Sequence, residues 1–60
     1  MKLRTWRLER GFTQEELAKE VRVTKVYISQ LEAGLQGDPS LPVLRRLAKA
    51  LGVSVGELLE

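Results

Sequence analysis

Residues 14–34 read QEELAKEVRVTKVYISQLEAG, and their punctuation decides the fold. Thr13 is an N-cap residue with Glu16 three positions on, the pairing by which side chain and backbone satisfy each other's free amides at a helix start. Leu17, Ala18 and Val21 then fall on one stripe at helical spacing, the buried face of a short amphipathic helix. Thr24 restarts a helix, and Gly34 stops it. Only Arg22 and Val23 lie between the two helices, so the connection is a turn too tight to hold anything else. A hairpin this short fixes the second helix across the first.

The second helix then divides at 100° per residue. Lys25, Val26, Ser29, Gln30 and Ala33 share an arc of about 140°, and Tyr27, Ile28, Leu31 and Glu32 share the opposite one. The first set is expected to face solvent. It offers a cation, a hydroxyl, an amide and two small apolar groups, the chemical types that read base edges in a major groove, and the arrangement of the two helices is that of a helix-turn-helix. An ordinary solvated face would also be polar, so the remainder of the chain has to discriminate.

Sixty residues make one domain, 1–60, near the lower limit for a single core without staples. Cysteine and histidine are both absent, which removes disulfides, thiol chemistry, the usual zinc sites and imidazole acid–base catalysis. No run approaches the length of a membrane span, and no signal peptide is legible at the N-terminus. The expectation is a soluble, intracellular protein. Net charge is +2, unevenly spread: residues 1–25 carry +3 and residues 26–60 carry −1. A basic N-terminal half suits a polyanion.

Five helices can be marked by their signals. The first runs from about Lys2 to Arg10 and stops at Gly11, with Leu3 and Trp6 on one face. Leu8 points nearly the other way, either as a lone exposed leucine or as a contact for a second subunit. Phe12 with Leu17, Val23 with Ile28 and Val53 with Leu58 each place apolar groups before a cap and at the fourth helical position, the hydrophobic staple. Ser40 is expected to cap a fourth helix through Leu51, with Pro42 tolerated in its first turn and Leu44, Leu47, Ala48 and Leu51 buried. Gly52 ends it, and Ser54 with Glu57 opens a last short helix as a second capping box. No internal repeat or linker is evident, and nothing alternates with period two. The fold class is all-α.

The whole chain, from Leu3 to Leu59, resembles the repressor and Cro type of helix-turn-helix domain, the family also called xenobiotic-response-element-like regulators. The matching residues are Arg7, Gly11, Thr13, Gln14, Leu17, Ala18, Val23, Thr24, the run Ile28-Ser29-Gln30-Leu31-Glu32, and Gly34. The closing pattern of Pro39-Ser40-Leu41, Leu44, Leu47 to Ser54 and Leu58-Leu59 agrees as well. The resemblance implies a compact five-helix lambda-repressor-like domain that binds double-stranded DNA as a repressor-type transcriptional regulator. Helix 3, about residues 24–33, would enter the major groove, as one half of a homodimer on a palindromic site.

Residue by residue, the resemblance places Lys25, Val26 and Gln30 at base-reading positions. Lys25 could donate to guanine, and Gln30 could pair with adenine or bridge to a phosphate. Val26 either meets a thymine methyl or is a tolerated surface valine. Gln14 matches a phosphate-contacting position at a helix N-terminus, where its alternative is a glutamine of no consequence. Thr13, Arg22, Thr24, Tyr27 and Ser29 complete the backbone-contacting or supporting set, with the Tyr27 hydroxyl on a phosphate or in water. Arg7 and Glu32 correspond to a structural ion pair tying helix 3 to helix 1.

Three departures from the family pattern concern backbone anchoring. Arg22 stands where glycine is preferred, at a position that often needs a left-handed backbone. Ala33 replaces a polar residue that commonly touches phosphate, and Leu35 to Pro39 holds no cation and one acid, Asp38. A shallow salt dependence of binding is therefore expected. No cofactor, metal, membrane or small-molecule ligand is implied. The rival to DNA binding is a protein-interaction module on the same fold, such as an antitoxin gripping its toxin or a phage packaging subunit. An enzyme is the weakest reading: Ser29, Ser40 and Ser54 have no histidine to activate them, and no glycine-rich phosphate loop exists.

Overall fold

The computed structural model describes residues 1–35 and 39–60. It contains α1 (Leu3–Glu9), α2 (Gln14–Val21), α3 (Lys25–Ala33), α4 (Leu41–Leu51) and α5 (Val55–Leu59), and no strand among the described residues. The architecture is the all-helical, five-helix arrangement expected from the punctuation.

Each start and stop has a local cause. Thr13 Oγ1 accepts from the Glu16 amide at 3.0 Å while Glu16 Oε1 accepts from the Thr13 amide at 2.9 Å, and Ser54 and Glu57 repeat the exchange at the head of α5. Thr24 Oγ1 accepts from the Tyr27 amide at 3.0 Å, a cap without a returning acid. Helices α1 to α4 all end alike. A residue with positive φ follows, and the amide of the next residue reaches back to a carbonyl in the last turn: Phe12 to Arg7, Val23 to Ala18, Leu35 to Gln30 and Val53 to Ala48, at 2.9–3.0 Å. This is the Schellman closure. Phe12, Val23 and Val53 also pack against the core as the staple of the following helix, so one apolar residue closes one element and sets the entry angle of the next.

Among the described residues, three of the four with positive φ are Gly11, Gly34 and Gly52; the fourth is Arg22, at φ 60°. Leu17 to Thr24 (LAKEVRVT) and Leu47 to Ser54 (LAKALGVS) form the same helix end, turn and cap, which corrects the expectation of no internal repeat at the scale of eight residues. The same backbone is thus built once with glycine and once with arginine.

Two boundaries differ from expectation. Helix α1 is shorter by one residue at each end, because Lys2 has non-helical angles and its amide donates to Leu58 O at 2.8 Å, tying the N-terminus to α5. Ser40 occupies the cap position of α4 in extended conformation, but its hydroxyl accepts no cap bond. Pro42, at the second helical position, removes one of the two amides such a hydroxyl can serve.

The core joins Leu3, Leu17, Ala18, Val21, Ile28, Leu31, Leu44, Leu47, Ala48, Leu51 and Leu58, drawn from all five helices. Helix α2 packs against both α3 and α4, and α1 bridges α3 and α5. One consequence concerns position: α3 is held from beneath by α1 and α2. No helix among the described residues is long and apolar enough to cross a membrane.

Candidate nucleic-acid interface

Helix α3 buries Ile28 and Leu31 and half-buries Tyr27, while Lys25, Val26, Ser29 and Ala33 are exposed and Gln30 is half-buried. Val26 leaves 62% of its surface in solvent, unusual for a β-branched residue on a helix otherwise well packed. The outward strip is therefore a real surface, with a cation at the N-terminal turn and small or polar groups along the next two. The Tyr27 ring packs against the core, and no polar partner of its hydroxyl is found among the described residues.

Beneath this strip lies a buried polar network. Arg7 donates from Nε to Glu32 Oε2 at 2.6 Å and from an Nη to Glu32 Oε1 at 3.2 Å, a bidentate pair with side chains only 9% and 6% exposed. The other Nη donates to Phe12 O at 2.8 Å, and Gln14 Nε2 donates to Glu32 Oε1 at 3.1 Å. One arginine thus fastens α1 to α3 and to the loop before α2. Gln14 is half-buried and its amide is turned onto Glu32, so the side chain braces α2 against α3, and its main chain lies at the start of α2. Thr13 and Thr24 use their hydroxyls as caps.

Two clefts lie along α3. One, of about 250 Å³ beside its C-terminal half, is lined by Arg4, Arg7, Gln14, Ser29, Glu32 and Ala33. The other, at its N-terminal turn, shares Arg7 and Gln14 with the first and adds Lys25, Leu8, Gly11, Phe12, Thr13 and Glu15. Arg4 was not singled out from the sequence; its place beside Ser29 depends on how α1 crosses α3, which no local spacing encodes. Leu8, 58% exposed, belongs to the Lys25 side, about 200° around α1 from Trp6. Trp6 faces α5, with its indole N–H 3.5 Å from Glu57 O. Leu8 and α5 are therefore two separate surfaces.

Arg22 is drawn to neither flank and lines a cleft with Glu20, Arg46, Lys49 and Ala50, between the end of α2 and α4. Two further cations serve the fold. Arg10 stacks 5.2 Å over the Trp6 ring and donates to Leu51 O at 2.7 Å, and Arg46 donates to Val21 O at 3.0 Å, each satisfying a carbonyl at a helix end. No group of metal-ligating side chains occurs among the described residues.

The model of the family described as Helix-turn-helix matches residues 3–58. The chain belongs to the helix-turn-helix family. It is 37% identical over 59 residues to the HTH-type transcriptional regulator SinR of Bacillus subtilis, covering 98% of this chain and 53% of that protein. It is 50% identical over 50 residues to an HTH-type transcriptional regulator of Methanothermobacter thermautotrophicus, covering 83% of this chain and 71% of the relative. Like the first of these matches shows, the chain spans about half the length of SinR. Among solved structures, a crystal structure of SinR in complex with DNA aligns with TM-score 0.91 at 37% identity, covering 98% of this chain and 94% of that one. The corrected boundaries of α1 and the shared helix ends thus belong to a helix-turn-helix domain whose α2 and α3 form the motif.

Proposed function

We propose that this chain is the DNA-binding domain of a repressor-type transcriptional regulator, with α3 lying in the major groove of double-stranded DNA. The observation that carries this reading is the exposed strip of α3, with the side chains of Lys25 and Val26 in solvent on a helix clamped from below by Arg7–Glu32. The likeness to SinR, solved in complex with DNA, supports it. Lys25, Val26 and Gln30 contact bases: the ammonium donates to guanine, the valine packs on a thymine methyl and the amide meets adenine or a phosphate. Ser29, Tyr27, Arg22 and the start of α2 at Thr13 and Gln14 supply backbone contacts or hold the frame, as does Thr24.

A single reading helix contacts too few base pairs for selectivity in a genome, so the working form is a homodimer on a palindromic site with reading helices about 34 Å apart. The contact surface is α5, where Leu59 is 48% exposed beside half-buried Val55. Leu8, lying beside Lys25, belongs to the DNA side instead.

The decisive experiment selects duplexes from a random pool and measures affinity for Lys25→Ala, Gln30→Ala and the double variant. Each base contact is worth about 1–3 kcal/mol, so the double variant loses on the order of 10²-fold or more and relaxes the selected sequence. Unchanged affinity would favour the rival reading, a protein-interaction module. That rival has one observation behind it: a neighbour of TM-score 0.91 is the complex of SinR with the protein SinI.

A further inference from the structure

We infer that Arg4, on α1, is a DNA-backbone contact that grips a phosphate at the cleft flanking the C-terminal half of α3. The inference deepens the DNA reading above and rests on it. The cleft is lined by Arg4, Arg7, Gln14, Ser29, Glu32 and Ala33, and its charges can be assigned one by one. Arg7 and Glu32 neutralise each other through a bidentate pair, and Gln14 turns its amide onto the same carboxylate. The remaining formal charge is the guanidinium of Arg4, which is exposed and has no side-chain partner among the described residues.

Position follows from the same contacts. Arg4 and Arg7 are one helical turn apart on α1, so the pair that fastens Arg7 to α3 also holds Arg4 beside it. Ser29 and Ala33 form the wall of the cleft and are the exposed residues of α3 next to the strip of Lys25 and Val26. With that strip in a major groove, a sugar–phosphate backbone runs along each flank of the helix, and the flank at Ser29 and Ala33 meets a planar fork suited to a phosphate. Neither Ala33 nor Ser29 brings a charge there. Arg4 supplies from α1 the anchoring that α3 lacks.

The test measures the salt dependence of binding for the wild-type chain, Arg4→Gln, Arg4→Lys and Lys19→Gln, an exposed cation that lines neither cleft flanking α3. Each is measured on a duplex selected by the wild-type chain and on a scrambled duplex of equal length. Arg4→Gln is expected to flatten the slope of log K against log salt by about 1 and to weaken both duplexes by the same factor, leaving their ratio intact. Arg4→Lys keeps the slope, and all variants keep the wild-type melting temperature. An Arg4→Gln slope equal to that of wild type, or no flatter than that of Lys19→Gln, overturns the inference, as does a changed ratio between the duplexes. If the wild-type chain itself binds no duplex at low salt, the DNA reading falls and takes this inference with it.

Discussion

Arg22 is the residue whose conformation departs most from its chemistry. A Cβ in the left-handed region crowds the neighbouring carbonyl oxygen and costs about 1–2 kcal/mol, against about 0.5–1 kcal/mol of extra chain entropy that glycine loses on folding. The equivalent turn at Gly52 shows the unstrained solution. Arg22→Gly is therefore expected to stabilise by up to about 1.5 kcal/mol and raise Tm by up to roughly 12 °C, read by thermal denaturation. A lowered Tm would mean that the side chain contributes more in its cleft with Arg46 and Lys49 than its backbone costs.

Arg7 and Glu32 present the opposite case, a pair whose value lies in its intactness. Removing one member leaves a buried charge without its counterion, which costs about 3–5 kcal/mol. A domain of this length has roughly 3–9 kcal/mol in all. Glu32→Ala should therefore lose most of its cooperative unfolding transition in urea. A transition displaced by less than about 1 kcal/mol would show that Arg7 finds another partner in solvent.

At the scale of the element, α5 is five residues long and depends on its capping box. The Ser54 amide and hydroxyl, in that order, hold the Glu57 carboxyl below its ordinary pKa; slight burial opposes them, and Arg10 assists. Because the folded value is depressed, the stabilising effect is present above the unfolded pKa and is lost as pH falls through the folded one. A carboxyl-detected NMR titration should give Glu57 a midpoint below the ordinary glutamate value of an unstructured peptide, and Glu57→Gln should flatten the acid side of the stability profile. A midpoint at or above the ordinary glutamate value would argue that the box opens in solution.

Elements were also what the sequence disclosed best. Thr13, Thr24, Ser54, Gly34 and Gly52 are local signals that directly adjoin a helix in the structure, and Gly11 lies two residues past α1. The outward strip of α3 followed from angular spacing alone. What stayed hidden depends on chain crossings: Arg10 reaches a carbonyl 41 positions away, Arg46 one 25 away, and Gln14 an acid 18 away. The positive N-terminal half overstated the cationic surface for the same reason, since Arg7 and Arg10 are both engaged within the fold. Asp38, invoked as an acid in the loop, lies outside the described residues.

For the whole molecule the predictions concern charge and symmetry. With Ala33 apolar and Arg22 directed to the α4 side, few phosphates are neutralised per subunit, so log K should fall gently with log salt. A slope matching about 6–10 phosphate contacts per subunit would contradict this placement of the cations. Sedimentation of the complex on a palindromic duplex should show two chains per site, with Leu59→Lys reducing it to one without unfolding the domain. A one-to-one complex for the unaltered chain would remove the dimer.

The polar brace under α3 has a practical corollary. Stability resides in Ile28, Leu31 and Glu32 on the inner half of α3 and in Arg7 of α1 and Gln14 of α2 that meet them, while the side chains of Lys25, Val26 and Ser29 are exposed. Those three positions can be randomised as a library while the scaffold stays constant, which makes the domain a chassis for new operator preferences.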